Sequence, residues 1–160
     1  MISKVVITIA KNMRLIDLKN QAWASFRDIE NSFQKLLSPI YDQYNISSLQ
    51  LRVLSYIHTK KKCTIGEVGD YFGIAGGNIS NLCKKLELDG YLTRTRSTQD
   101  RRVVFVSLSP KGKRTLNKIV DTLEDLYGES INKLDENEAR EVFKHMEQIV
   151  AFLSDLVHLR

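Results

Sequence analysis

From Thr64 to Gly112 the chain reads TIGEVGDYFGIAGGNISNLCKKLELDGYLTRTRSTQDRRVVFVSLSPKG, and the order of patterns in this stretch decides the fold. Thr64-Ile65-Gly66-Glu67 has capping-box spacing, in which hydroxyl and carboxylate each satisfy a backbone N–H that a helix start leaves open. Ile65, Val68 and Phe72 follow as the inward face of a short helix, and Gly73 breaks it. After Gly76-Gly77, Asn78 to Asp89 is predicted helical, with Ile79, Leu82, Cys83 and Leu86 on one face. Gly90 then stands where a helix end favours left-handed backbone. Tyr91–Thr95 and Arg102–Leu108 are β-favouring runs joined by the polar turn Ser97-Thr98-Gln99-Asp100, which predicts a hairpin. That hairpin carries Arg94, Arg96, Arg101 and Arg102.

The flanks are helical. Ser47, with Gln50 three residues on, opens a helix whose core contacts are Leu51, Val53, Leu54 and Ile57 and whose end is the basic turn Lys60-Lys61-Lys62. Asp17 to Tyr44 carries Ala22, Phe26, Ile29, Phe33, Leu36 and Ile40 at alternating spacings of 4 and 3, one stripe of a long helix. Pro39 should kink it and Asn45 should stop it. Ser109-Pro110 reads as N-cap and first helical residue, ahead of an amphipathic helix through Leu116, Ile119, Val120, Leu123, Leu126 and Ile131. Asp135 starts a last helix, capped in the pattern by Glu138, whose double apolar stripe runs through Ala139, Val142, Met146, Ile149 and Leu153 and through Phe143, Val150 and Val157. Val5–Ile9 is β-favouring without a partner strand nearby, a flexible arm or a segment that packs on a second copy.

Charge is concentrated in the same central stretch. Net charge is +5 overall, yet His58 to Thr115 holds 12 Lys/Arg against 5 Asp/Glu, while the remainder holds 12 against 14. A basic segment between near-neutral helices suits a polyanion such as DNA. Helix, short helix, helix and basic hairpin is the winged helix-turn-helix order: one helix fits the major groove, and a basic ribbon beside it reaches the minor groove. The expected fold is therefore mainly α with a small β-hairpin. A winged helix-turn-helix lobe spans residues 46–114. A helical dimerisation lobe is formed by both chain ends, residues 1–45 and 115–160.

The central stretch resembles the MarR (multiple antibiotic resistance regulator) family. The resemblance rests on Ile46-Ser47-Ser48-Leu49-Gln50, Val53-Leu54, Asn78-Ile79-Ser80-Asn81-Leu82, Leu86-Glu87-Leu88-Asp89-Gly90-Tyr91-Leu92, Asp100-Arg101-Arg102 and Val106-Ser107-Leu108-Ser109-Pro110-Lys111-Gly112. It covers about residues 46–114; the outer helices match in pattern only. The resemblance implies a homodimeric regulator, a repressor in the commoner case, on a pseudo-palindromic operator. Arg102 would be the wing-tip arginine and Asp100 the carboxylate that orients it. Asn78, Ser80, Asn81 and Lys84 would face DNA from the recognition helix, with Lys85, Arg94, Arg96 and Arg101 as phosphate contacts. Where relatives carry a hydroxyl N-cap this chain has Ala75 and then Gly76-Gly77, whose backbone amides could approach a phosphate closely. The resemblance also implies a small aromatic effector, for which Trp23, Phe26, Tyr44, Tyr56 and His58 are the pocket-lining candidates or else core.

Other classes are disfavoured. There is no nucleophile motif, no Gly-rich phosphate loop after a strand and no metal-ligand spacing among His58, His145 and His158, so no enzyme, cofactor or metal is expected. The alternative is a winged-helix module that binds protein and not DNA, which the basic excess argues against. Cys63 and Cys83 do not make a disulfide framework. Cys63, beside three lysines, would have a lowered pKa if exposed, a candidate redox position; Cys83 is expected to be a small core residue. No apolar run nears the ~20 residues of a membrane span, and no leader is read, which together point to the cytoplasm.

Overall fold

The computed structural model describes residues 14–100 and 102–158. The Val5–Ile9 run and Arg101 therefore lie outside the described residues. Within them the chain forms six helices and one small sheet: α1 Leu15–Tyr44, α2 Ser48–Lys60, β1 Cys63–Thr64, α3 Ile65–Phe72, α4 Gly76–Leu88, β2 Leu92–Arg96, β3 Val104–Leu108, α5 Pro110–Ile131 and α6 Glu136–His158. They fall into two compact units that divide between Lys113 and Arg114.

In the first unit, local capping chemistry sets the element boundaries. The Ser47 hydroxyl accepts the Gln50 N–H at 3.2 Å while the Gln50 side chain accepts the Ser47 N–H at 2.8 Å, and Thr64 and Glu67 repeat the arrangement at the start of α3. Three helices end alike. Asn45, Gly73 and Gly90 take left-handed backbone, and the two N–H groups that follow each last turn bond back to its carbonyls, as in Gly90 to Glu87 and Tyr91 to Leu86.

Helix α1 runs through Pro39 without interruption. Proline has no N–H to give the Lys35 carbonyl four residues back, and the Ser38 hydroxyl donates to that oxygen instead, at 3.0 Å.

The sheet has the order β1-β3-β2, all antiparallel. The hairpin β2–β3 is as expected. The edge strand β1 is additional, and its two residues are too few to show alternation in sequence. Cys63, Val106 and Arg94 stand in one row across the three strands, and opposed residues share a face. The core beneath contains Ile40, Val53, Leu54, Ile57, Val68, Ile79, Cys83, Leu86 and Val106. At Gly69 an added Cβ would sit 3.0 Å from the Ile74 carbonyl oxygen and 3.1 Å from Ile79 Cγ2, so glycine lets α3 and α4 close on each other.

In the second unit, α6 starts at Asp135, whose carboxylate accepts the N–H groups of Asn137 and Glu138 at 2.8 and 3.0 Å. Much of its apolar surface is uncovered: Val142, Phe143, Ile149, Val150, Phe152 and Leu153 are all exposed.

Candidate nucleic-acid interface

Helix α4 separates its residues by face. Ile79, Cys83 and Leu86 are fully buried, whereas Asn78, Asn81, Lys84 and Lys85 are exposed and Ser80 is half-buried. Its N-terminus has no side-chain cap, since Ala75 has nothing to offer. Gly76 and Gly77 are exposed, and a Cβ on either would meet nothing within 4 Å.

The C-terminal end of α4 is locked. The Ser109 hydroxyl donates to the Gly90 carbonyl at 2.6 Å and accepts the Gly112 N–H at 3.0 Å, so one group closes the turn after α4 and caps α5. Lys111 Nζ donates to the Asp89 carbonyl at 2.6 Å and lies 4.7 Å from the centroid of the Tyr91 ring. This places a cation at a helix C-terminus, where the backbone dipole favours one.

The wing tip is ordered by side chains bonding to backbone. Ser97 Oγ accepts the N–H groups of Gln99 and Asp100 at 3.2 and 3.3 Å. The Ser97 N–H donates to the Val103 carbonyl at 2.9 Å, and the Val103 N–H to the Asp100 carbonyl at 3.0 Å. Asp100 Oδ1 accepts the backbone N–H of Arg102 at 2.9 Å. The carboxylate thus fixes the main chain beneath Arg102, as Asp does in turns, and not the guanidinium as expected. The Arg102 side chain is exposed and has no ion pair among the described residues.

A family model described as "Transcriptional regulator SarA/Rot" matches residues 35–119, just over half of the chain. The chain belongs to the SarA/Rot family of transcriptional regulators. This is a family of regulators, not of enzymes. Among curated relatives, the organic hydroperoxide resistance transcriptional regulator of Bacillus subtilis is 28% identical over 99 residues, 62% of this chain and 65% of that one. The chain spans less than two thirds of the first curated relatives it matches. Two solved structures show the same fold. AbfR of Staphylococcus epidermidis has a TM-score of 0.74 and 19% identity, covering 88% of this chain and 95% of that one. A mutant MarR from E. coli complexed with operator DNA has a TM-score of 0.71 and 18% identity, covering 86% and 99%. The winged helix-turn-helix expected from the sequence is therefore the fold of this SarA/Rot member.

Two residue assignments change, and a third holds. Arg94 is not a free cation on the wing: its Nη1 bonds Glu87 Oε2 on α4 at 3.2 Å, and its side chain is 21% exposed. Cys63 is buried, so the exposure that would let the lysines lower its pKa is missing. Its thiol is pushed up by burial first and by the Glu67 carboxylate second, with Lys60 pulling weakly the other way. Cys83 is a core residue as expected; burial, opposed by Arg94, raises its thiol to about 11.

The aromatic set does not form one pocket within a chain. Trp23 and Tyr44 lie on one helix, 21 residues and hence about 30 Å apart, and Trp23 is 67% exposed. Tyr56 is engaged elsewhere, stacked on Tyr71 at 4.2 Å and edge-on to Phe72 at 5.8 Å. Phe26 and His58 are exposed.

Among the described residues no group of His, Cys, Asp and Glu could hold a metal ion, and no helix is long and apolar enough to cross a membrane. Sequence reading missed Glu87 and Lys111 as framework residues. A signal existed for the first: Leu92, Arg94 and Arg96 share one face of β2 by alternation, and Leu92 is core.

Proposed function

We propose that this regulator binds double-stranded DNA as a homodimer and represses transcription in the cytoplasm. In this reading α4 enters the major groove and the wing places Arg102 in the minor groove. The observation that carries the reading is the set of exposed polar and cationic side chains with no partner among the described residues: Asn78, Asn81 and Lys84 on α4, Arg96 and Arg102 on the wing. Asparagine can bond adenine through two groups at once, and lysine and arginine neutralise phosphate. A second copy is supported by the uncovered apolar residues of α1 and α6, among them Trp23, Phe33, Phe143 and Val150, and by the two-fold symmetry of operators.

A salt-titrated binding assay on random duplex DNA tests the core of this reading. Lys84, Lys85, Arg96 and Arg102 offer up to four phosphate contacts per subunit, so log affinity should fall against log salt with a slope approaching roughly −7 for a dimer. A shallow slope would favour the protein-binding alternative. Replacing Ile149 and Leu153 with Asp should give monomers, and a soluble unchanged dimer would refute the placement of the interface. Selecting duplexes from a random pool with and without small aromatic acids reads out the operator and any effector together. Transcription reconstituted on that operator distinguishes repression from activation.

A further inference from the structure

Among the described wing cations, Arg94 is the one whose side chain the fold takes inward. In β2 it shares a face with buried Leu92 and a row with buried Val106 and Cys63, while Thr93, Thr95 and Arg96 are exposed. One guanidinium nitrogen reaches Glu87 in the last turn of α4. The Nε–H, however, is buried with no partner among the described residues. An unmet buried donor costs stability, and methionine or leucine would fill the same volume without that cost. Stability therefore does not account for arginine here. What arginine supplies is direction. Ser109 and Lys111 hold the C-terminal end of α4 at the base of the wing, but among the described residues the Arg94–Glu87 bond is the side-chain hydrogen bond that ties α4 itself to a wing strand. A charge-assisted hydrogen bond fixes one strand position against one helix position.

We infer that Arg94 is a positioning residue: with Glu87 it sets the angle between α4 and the wing, so that helix face and wing tip engage one duplex together. This rests on the DNA-binding reading above and revises the role of Arg94 within it. A phosphate contact and a positioning tie give opposite signs in experiment.

The test uses Glu87→Gln, Arg94→Met and Arg102→Ala in the full chain, on a duplex recovered by the wild-type protein from a random pool and on random duplex. Circular dichroism and gel filtration confirm fold and assembly. Glu87→Gln removes a negative charge near DNA, so Coulomb attraction alone expects tighter binding; the tie expects roughly ten-fold weaker binding to the selected duplex, with random duplex little affected. Arg94→Met should weaken selected binding without changing the salt slope, whereas a lost phosphate contact would flatten it by about one ion per subunit. In the Arg102→Ala background the Glu87→Gln effect should largely vanish, because the tie acts through where the wing tip sits; a merely structural role would add in full. Tighter binding by Glu87→Gln, a flattened slope for Arg94→Met, or full additivity overturns the inference. If Arg94→Met does not fold, the near-isosteric Glu87→Gln series decides alone. Wild-type protein that binds no duplex overturns the underlying reading and this inference with it.

Discussion

Gly112→Ala changes one hydrogen to a methyl group at the joint between α4 and α5, and its effect can be worked out from the contacts. Gly112 is the third residue of α5 and is buried. A Cβ there would overlap the carbonyl oxygen of Tyr91 and lie 3.1 Å from its carbonyl carbon. The obstacle is backbone, so no side chain can rotate away. The same carbonyl accepts the Ser109 N–H at 3.0 Å, and Ser109 in turn holds Gly90. Making room costs about 1–3 kcal/mol of overpacking, and separating the joint loses one or two hydrogen bonds at about 1 kcal/mol each. Alanine returns about 1 kcal/mol of helix propensity. The net expectation is destabilisation of about 2–3 kcal/mol, or a fall in Tm of roughly 5–10 °C for a chain of this size. Gly128 is the control, in the same helix: its nearest atom would be Glu124 Cγ at 3.5 Å, an ordinary contact, so Gly128→Ala should stabilise by about 0.5–1 kcal/mol. Calorimetry with far-ultraviolet circular dichroism reads both. A Gly112→Ala protein as stable as the wild type would refute the close approach of α5 to Tyr91.

Further outcomes follow from the caps, the core and the exposed face of α4. The Glu67 carboxylate is held below its usual value of 4.5 chiefly by the Thr64 backbone N–H, then by its hydroxyl. Its contribution is therefore present above that value and lost as pH falls through the lower folded one, so the stability gap between wild type and Glu67→Gln should shrink on acidification; a gap constant with pH would remove this role. Cys63 and Cys83 are buried with raised thiol pKa values, so iodoacetamide should label neither in the native protein and both once it is unfolded; rapid native labelling at mild alkaline pH would contradict their burial. Asn78→Ala should cost ~1–3 kcal/mol of preference for selected over random duplex if Asn78 reads a base, and equal weakening of both would show that it does not.

The signals legible in sequence were local ones. Capping boxes at Ser47 and Thr64, the glycine after α4 and the Ser109-Pro110 start all act within four residues, so the pattern carries the physics whole. What escaped depends on distant partners. Cys63 sits beside three lysines in sequence, but its environment is set by Val106, 43 positions away and paired with it across the sheet. Arg94 looks equivalent to Arg96 in sequence because both are wing arginines, yet Arg94 is half-buried and bonds Glu87 in the last turn of α4, whereas Arg96 is exposed. The aromatic set is spread out within a chain for a simpler reason, since the rise of a helix alone separates Trp23 from Tyr44.

The same distinction bears on how site residues can be assigned. Glu87, Arg94, Ser109 and Lys111 are polar, but their hydrogen bonds hold helix ends and strands in place. Asp100 belongs with them, because its oxygen closes the turn under Arg102. On the DNA-binding reading, deleting any of these should weaken binding by moving the frame, and affinity alone would misname them as contacts. Asn78, Asn81, Lys84, Arg96 and Arg102 have no such duty within the described residues. Asp100 and Arg102 separate the two kinds most sharply. The carboxylate acts on backbone, so Asp100→Asn, which keeps an acceptor for the Arg102 N–H, should retain most of the binding that Asp100→Ala loses. Equal loss from both would instead require the charge itself, and so a guanidinium pairing that forms only on DNA.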